Sequence, residues 1–440
     1  MKKALKNLAV FCILAIIIAG IILPKELNNL DEIWNFNFAR NIANGLVPYK
    51  DFNMVQTPLL SIACGIILRV LGTELFIMRI IAVILCSLIM LSAYKILEKL
   101  EIPTTLKYLF LIVTIFLYKE YFCVDYNFAV LWIILLVILL ELKNVEKKSG
   151  KLKFLSGILI GVSILTKQTT GIFCSLVFLF YKILIINNKD ELKEYGKETI
   201  YKVLGIIVPI TLFCIYITIC KGWNDFIDYT IFGIKTFSNR ISYINLLNGN
   251  YGKIISILSI LVPILLLTVY IKTVIFSNKN KDKKIYILFA YSVASLVVVV
   301  YPISDSIHFL IGTFPALILL VYFLWSSLIK RAPKNKLTIF VKYFLNCMLT
   351  LIVIFNIYIS IKDLLKYKKE VNTYNELQNF KYIKAENSGI QKIDQFILES
   401  EKNNKTVYIL DATAAIYMIP LNKYNKDYDM FLKGNLGRKR

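Results

Sequence analysis

The chain has 440 residues, 57% of them hydrophobic, with a mean hydropathy of +0.64 and a formal net charge of +23. That composition excludes a soluble enzyme and defines a polytopic membrane protein. The positive charge comes in short Lys-rich runs between apolar segments, not along one continuous basic face, which excludes a nucleic-acid footprint. The eight cysteines show no CxxC spacing, and Cys12, Cys86, Cys174 and Cys347 stand inside apolar runs, so neither a disulfide framework nor a zinc site is indicated.

The first apolar stretch, from about Leu8 to Leu23, reads as a transmembrane helix and not a cleaved signal, because no small-x-small site follows Ile22 and many spans come after it. Further runs of near-spanning length follow at Phe76–Leu97, Leu106–Tyr121, Phe128–Leu142, Phe154–Thr166, Ile172–Ile186 and Val203–Cys220. Four more lie at Ile254–Phe276, Ile285–Tyr301, Phe309–Ile329 and Leu337–Ile361, giving about eleven spans in all. Loop charge sets the orientation. The segments Lys95–Lys107, Lys143–Lys153, Lys189–Lys202, Lys279–Lys284 and Lys330–Lys336 are short and Lys-rich, and they alternate correctly if the N-terminus is cytoplasmic. The acid-bearing loops Lys25–Arg79, Lys119–Asn127, Thr166–Gly171, Lys221–Lys253 and Pro302–His308 then lie outside. The run Pro58–Leu71 is too short for a span, and counting it would put the later Lys-rich loops outside; it is expected as an interfacial helix.

After Ile361 the chain turns polar. An amphipathic pattern at Ile390, Ile393, Phe396 and Ile397 and a strand-like TVYILDAT at Thr406–Thr413 predict a small α/β appendage over 362–440, placed outside by the odd number of spans. The membrane part is 1–361, and no internal repeat is visible.

Within this frame a few residues carry chemistry. Asp31 and Glu32 directly follow the first span, and a carboxylate there can serve as general base for an acceptor hydroxyl or merely end a helix at the water interface. Asp125 stands in the short loop CVDYN. Lys167 ends an apolar run where an anionic group would compensate its charge, or it snorkels to the interface. Arg40, Arg79 and Arg240 have the fork geometry that suits phosphate, and that suits lipid headgroups equally. Asp51, after Gly45 and Pro48, either orders a turn or contacts a sugar. The sole histidine, His308, has Asp305 three residues before it, a pair that is either structural or keeps an imidazolium charged for phosphate. No Walker, GxSxG or HExxH motif is present, which removes nucleotide hydrolysis, serine hydrolase and zincin readings.

The order of apolar span, Asp31-Glu32, ARNIANGLVPYKDF, a Pro-led short helix and GTELFIMRI resembles the first extracytoplasmic loop of GT-C type glycosyltransferases. The closest likeness within that superfamily is to the family 39 group, which includes protein O-mannosyltransferases and lipid A aminoarabinose transferases. GVSILTKQTTG (Gly161–Gly171) resembles that family's turn between two spans, and YPISDSIHFLIGTFPAL (Tyr301–Leu317) its late loop and following helix. The resemblance implies an all-α polytopic transferase that passes a sugar from a polyprenyl-phosphate donor to an acceptor outside the cytoplasm, at the plasma membrane and with inversion. It implies Asp31 as base with Glu32 as neighbour or substitute, and Asp125 as a second acid that orients the acceptor or holds a divalent metal with Asp31. Metal use differs across the superfamily and stays open. Lys167 with the adjacent Gln168, Asp51, Asp305, His308 and the three arginines make up the expected substrate-binding set. A transporter or flippase of lipid-linked sugar is the alternative from another class, and an envelope polysaccharide polymerase or ligase a third. The first would call for broken helices or repeat symmetry, and the second for Arg-rich later loops.

Overall fold

A computed structural model describes residues 2–27, 30–186, 188–233, 241–272, 282–300, 303–327, 336–371, 377–384 and 387–424. Each apolar run forms a helix, because every backbone group within the bilayer must be satisfied inside its own segment. In chain order the helices of the first half are α1 (Lys2–Ile22), α2 (Leu30–Ala43), α3 (Leu59–Leu71), α4 (Leu75–Lys99), α5 (Thr104–Tyr118), α6 (Tyr126–Lys147), α7 (Gly150–Thr166), α8 (Gln168–Phe180) and α9 (Lys189–Ile219). Then come the short α10 (Trp223–Phe226) and α11 (Ile244–Leu247), followed by α12 (Lys253–Tyr270), α13 (Lys283–Val300), α14 (Ser306–Ser327), α15 (Lys336–Glu370), α16 (Asn387–Lys402) and the single turn α17 (Ala415–Met418). Among the described residues seven helices are long and apolar enough to cross a membrane, and α3, α5 and α8 are shorter apolar helices. The chain is an all-α, multi-pass membrane protein, and the described residues form no sheet beyond isolated bridges.

The buried core lies between α4, α6, α13 and α14, with Leu85, Ile89, Ile134, Ile138, Leu288, Phe314 and Ile318 among its members. Apolar side chains on α9, α12 and α15 remain largely exposed, as they should where lipid replaces water. α7 packs unusually close to α9. A Cβ on Gly157 would stand 2.3 Å from the Lys202 carbonyl oxygen, and one on Gly205 would stand 2.2 Å from that of Phe154, so small residues set the helix separation here.

Ion pairs show which loops share an end of the bundle. Lys99 bonds Glu146, Lys148 bonds Glu194 at 3.0 Å, and Lys284 bonds Glu101 at 3.5 Å, which gathers four of the five Lys-rich segments at one end.

Two sequence expectations change. The strand expected at Thr406–Thr413 is not formed; that segment is irregular, since a lone strand has no ladder partner, and Asp411 instead accepts from the Thr413 backbone N–H at 2.7 Å. The last long helix also runs on past Ile361 to Glu370, beyond the expected boundary. The amphipathic helix of the tail is present as α16, with Ile390 and Ile397 buried and Phe396 exposed.

Candidate active site

α2 begins one short loop after α1, and its first turn carries Asp31 and Glu32, whose negative charge suits the positive end of a helix dipole. The two acids part company at once. Glu32 turns inward to Arg79 of α4, with Nε to Oε1 at 2.9 Å and Nη2 to Oε2 at 3.0 Å. Arg79 spends its remaining donors on the carbonyls of Leu23 (3.3 Å), Lys25 (2.5 Å) and Glu26 (3.2 Å), so all five are engaged. The expectation that Glu32 substitutes for Asp31 and that Arg79 meets phosphate is therefore corrected: the two form a buried fork that pins the start of the first loop to α4.

Asp31 stays partly exposed, and its carboxylate accepts no hydrogen bond from any described residue. Beside it lies Asp125, the N-cap of α6, fully buried and accepting from the Asn127 backbone N–H at 2.6 Å. Asn35 links the two acids, donating to the Asp31 carbonyl at 2.8 Å and reaching the Asp125 carboxylate at 3.5 Å. Lys167 occupies the single extended residue between α7 and α8, buried, with its Nζ bonded to Asn127 Oδ1 and 5.3 Å from the Tyr126 ring centroid. The turn is tight enough that a Cβ on Gly171 would meet the Ile164 backbone nitrogen at 2.4 Å, which explains the glycine. Asp305 precedes α14 and accepts from His308 twice, from its backbone N–H at 2.9 Å and at its Nδ1 at 2.7 Å.

Four of the five acid-bearing loops thus converge. The charges interact: Asp31 is pushed up to about 7, by burial first and then by Asp125 and Asp305, against the pull of Lys167. Asp125 is raised by burial, opposed by Lys167, Asn127 and His308. Burial brings Lys167 down to about 8 despite the three carboxylates around it. Burial alone would raise Asp305, but the hydrogen bond and charge of His308 outweigh it and leave the carboxyl below its ordinary value.

A small cavity adjoins these groups. Asn127, Lys167 and His308 form its polar end, while Val130, Leu131 and Ile134 of α6, Val299 of α13 and Ile311 of α14 line an apolar remainder. Gly312 makes one wall possible, since a Cβ there would fall 2.1 Å from Val299 Cγ2.

The other expected substrate ligands lie elsewhere. Arg40 is buried and holds the carbonyls of Ile419 (2.9 Å) and Lys423 (2.6 Å), together with Asn37 and Asn41, so it fastens the tail to α2. Asp51 accepts from the Val47 N–H at 2.8 Å and orders its turn. Gln168 donates to the Val55 carbonyl at 2.8 Å and accepts weakly from the Thr57 N–H at 3.4 Å, clamping the loop before α3. Arg240 lies outside the described residues. No three His, Cys, Asp or Glu side chains among the described residues converge to hold a metal ion. Sequence reasoning missed Asn35 and Asn127; the first is four residues from Asp31 and so on its helix face, which is the only signal that pointed to it.

The site thus joins a carboxylate pair and a buried ammonium beside a partly apolar cavity in a multi-pass helical protein. Residues 55–216 match the family described as Dolichyl-phosphate-mannose-protein mannosyltransferase. With the fold, that match supports a membrane glycosyltransferase of the GT-C type. The matched stretch contains Asp125 and Lys167, while Asp31 precedes it and Asp305 follows it. No curated protein matches the chain.

Proposed function

We propose that this glycosyltransferase moves a sugar from a polyprenyl-phosphate carrier to an acceptor hydroxyl outside the cytoplasm, with inversion and with Asp31 as general base. The observation that carries the reading is the convergence of the Asp31 carboxylate, which accepts no hydrogen bond from any described residue, with Asp125, Asp305 and Lys167, beside a partly apolar cavity that Lys167 and His308 line. Asp31 takes the acceptor proton, the acceptor oxygen bonds the anomeric carbon, and the bond from that carbon to the phosphate oxygen breaks. The leaving lipid phosphate gains one negative charge, which Lys167 and His308 offset in a water-poor setting. Asp125 and Asn35 hold Asp31 in position, and the negative neighbours keep it basic enough to accept a proton near neutral pH.

The test is transfer from a panel of labelled polyprenyl-phosphate sugars in membranes with wild type or Asp31→Asn, at matched protein level. One donor should be consumed by the wild type, with turnover in the variant lower by about two orders of magnitude or more. Equal turnover removes Asp31 as base, and no consumption of any donor removes the lipid-phosphate donor.

A further inference from the structure

At the end of α1 remote from Asp31, lysines converge without the acid that would balance them. Lys107, in the first turn of α5, is 5% exposed, yet its ammonium makes no hydrogen bond or ion pair with any described residue. Its Nζ stands 5.0 Å from the Tyr94 ring centroid, and Lys6 of α1 approaches the same ring at 5.5 Å. Two ammonium groups therefore stand against one aromatic ring, close enough for the charge of Lys6 to act on Lys107. Lys3 joins from the same helix, and among the described residues the one acid paired with the cluster is Glu98, with Lys6 at 3.2 Å and Lys3 at 3.7 Å. The buried Tyr94 hydroxyl finds no hydrogen-bond partner at normal geometry. The N-terminus of α5 adds its dipole and is capped by no side chain.

A buried unpaired ammonium is costly, and a second beside it more so, unless an anion completes the set. Three lysines and a tyrosine hydroxyl against one carboxylate offer donors and net positive charge to a phosphate oxygen. α1 has 21 residues, about 30 Å of helix, so the cluster lies one membrane thickness from the catalytic mouth, at the level of the opposite headgroups. We propose that Lys107, Lys6 and Lys3, with Tyr94, form a seat for a phosphate group at that face, separate from the donor site and independent of the reading of Asp31.

The purified full-length protein in nanodiscs of phosphatidylcholine, with or without phosphatidylglycerol, tests this by native mass spectrometry and thermal unfolding. The wild type should retain one phosphatidylglycerol and unfold at a higher temperature when it is present. Lys107→Met and Lys6→Met should each lower that retention by about tenfold or more, the loss of roughly one charge-assisted contact. Lys107→Arg should keep it, and Lys193→Met, on an exposed face of α9, should leave it unchanged. Adding inorganic phosphate to phosphatidylcholine nanodiscs separates the sources. Stabilisation of wild type but not Lys107→Met by phosphate alone assigns the seat to a free anion, and stabilisation by phosphatidylglycerol only assigns it to a lipid headgroup. Equal lipid retention by wild type and both Met variants, with no response to phosphate, overturns the proposal; should Lys107→Met not fold, the exposed Lys6→Met decides.

Discussion

Asp31 and Glu32 are neighbours in sequence with opposite fates, and the difference is one helical step of about 100°. Glu32 faces α4 and is neutralised by Arg79; Asp31 faces Asp125 and is not. Removing one partner of the buried pair strands the other charge, so Glu32→Gln is expected to cost about 3–5 kcal/mol, read as a drop in the unfolding temperature in detergent. The pH profile of transfer follows from the two shifted groups. With Asp31 as the proposed base it must be ionised, so activity is expected to rise as pH passes about 7; with Lys167 on the leaving phosphate it must be charged, so activity is expected to fall as pH passes about 8. Turnover against pH should therefore be a narrow bell between those values. Asp125 raises both groups, so Asp125→Asn should move both limbs to lower pH; limbs that stay in place would detach Asp125 from the site.

At the scale of elements, α2 is held from both sides. The fork of Arg79 fixes its start, and the tail fixes its flank, where Trp34 donates to the Ala412 carbonyl at 2.9 Å and Arg40 grips Ile419 and Lys423. The tail thus acts as a strap over the helix that carries Asp31. α7 and α9 depend on their glycines in a different way. Gly205→Leu would drive a side chain into the Phe154 carbonyl, separate the two helices and tilt the turn that carries Lys167. The variant should lose transfer and unfold at lower temperature, whereas Gly196→Leu on the same helix, with open space around it, should match the wild type in both assays.

For the whole molecule, the meeting of Asp31 with Asp125 decides how α3 lies. Between them run α3, α4 and α5, and two residues on one side of a membrane are separated by an even number of crossings, so if α4 and α5 both cross, α3 lies in the interface, where its exposed Ile66, Val70 and Leu71 would meet lipid. The Lys-rich segments gather at the other end, which the positive-inside rule assigns to the cytoplasm. Single cysteines placed at Asn44 and at Lys147 in a cysteine-free background should report this directly. In intact cells a membrane-impermeant maleimide should label the first and spare the second; the reverse pattern would invert the orientation.

Membrane-length apolar runs, the order of loops and the residue types in them were legible in the sequence, because hydropathy and helix formation in lipid are local properties that need no knowledge of neighbours. The same locality marked Asp31, Asp125, Lys167 and the Asp305–His308 pair, each an ionisable group at the edge of an apolar segment. Tertiary structure alone decided which charges are already neutralised. Arg79, Arg40, Asp51 and Gln168 look identical to substrate ligands until their partners, up to 383 residues away, come into place. It also decided that Thr406–Thr413 forms no strand, since a strand exists only through pairing with another, and that four distant loops converge on one charged cluster, since only the packed bundle brings their ends together.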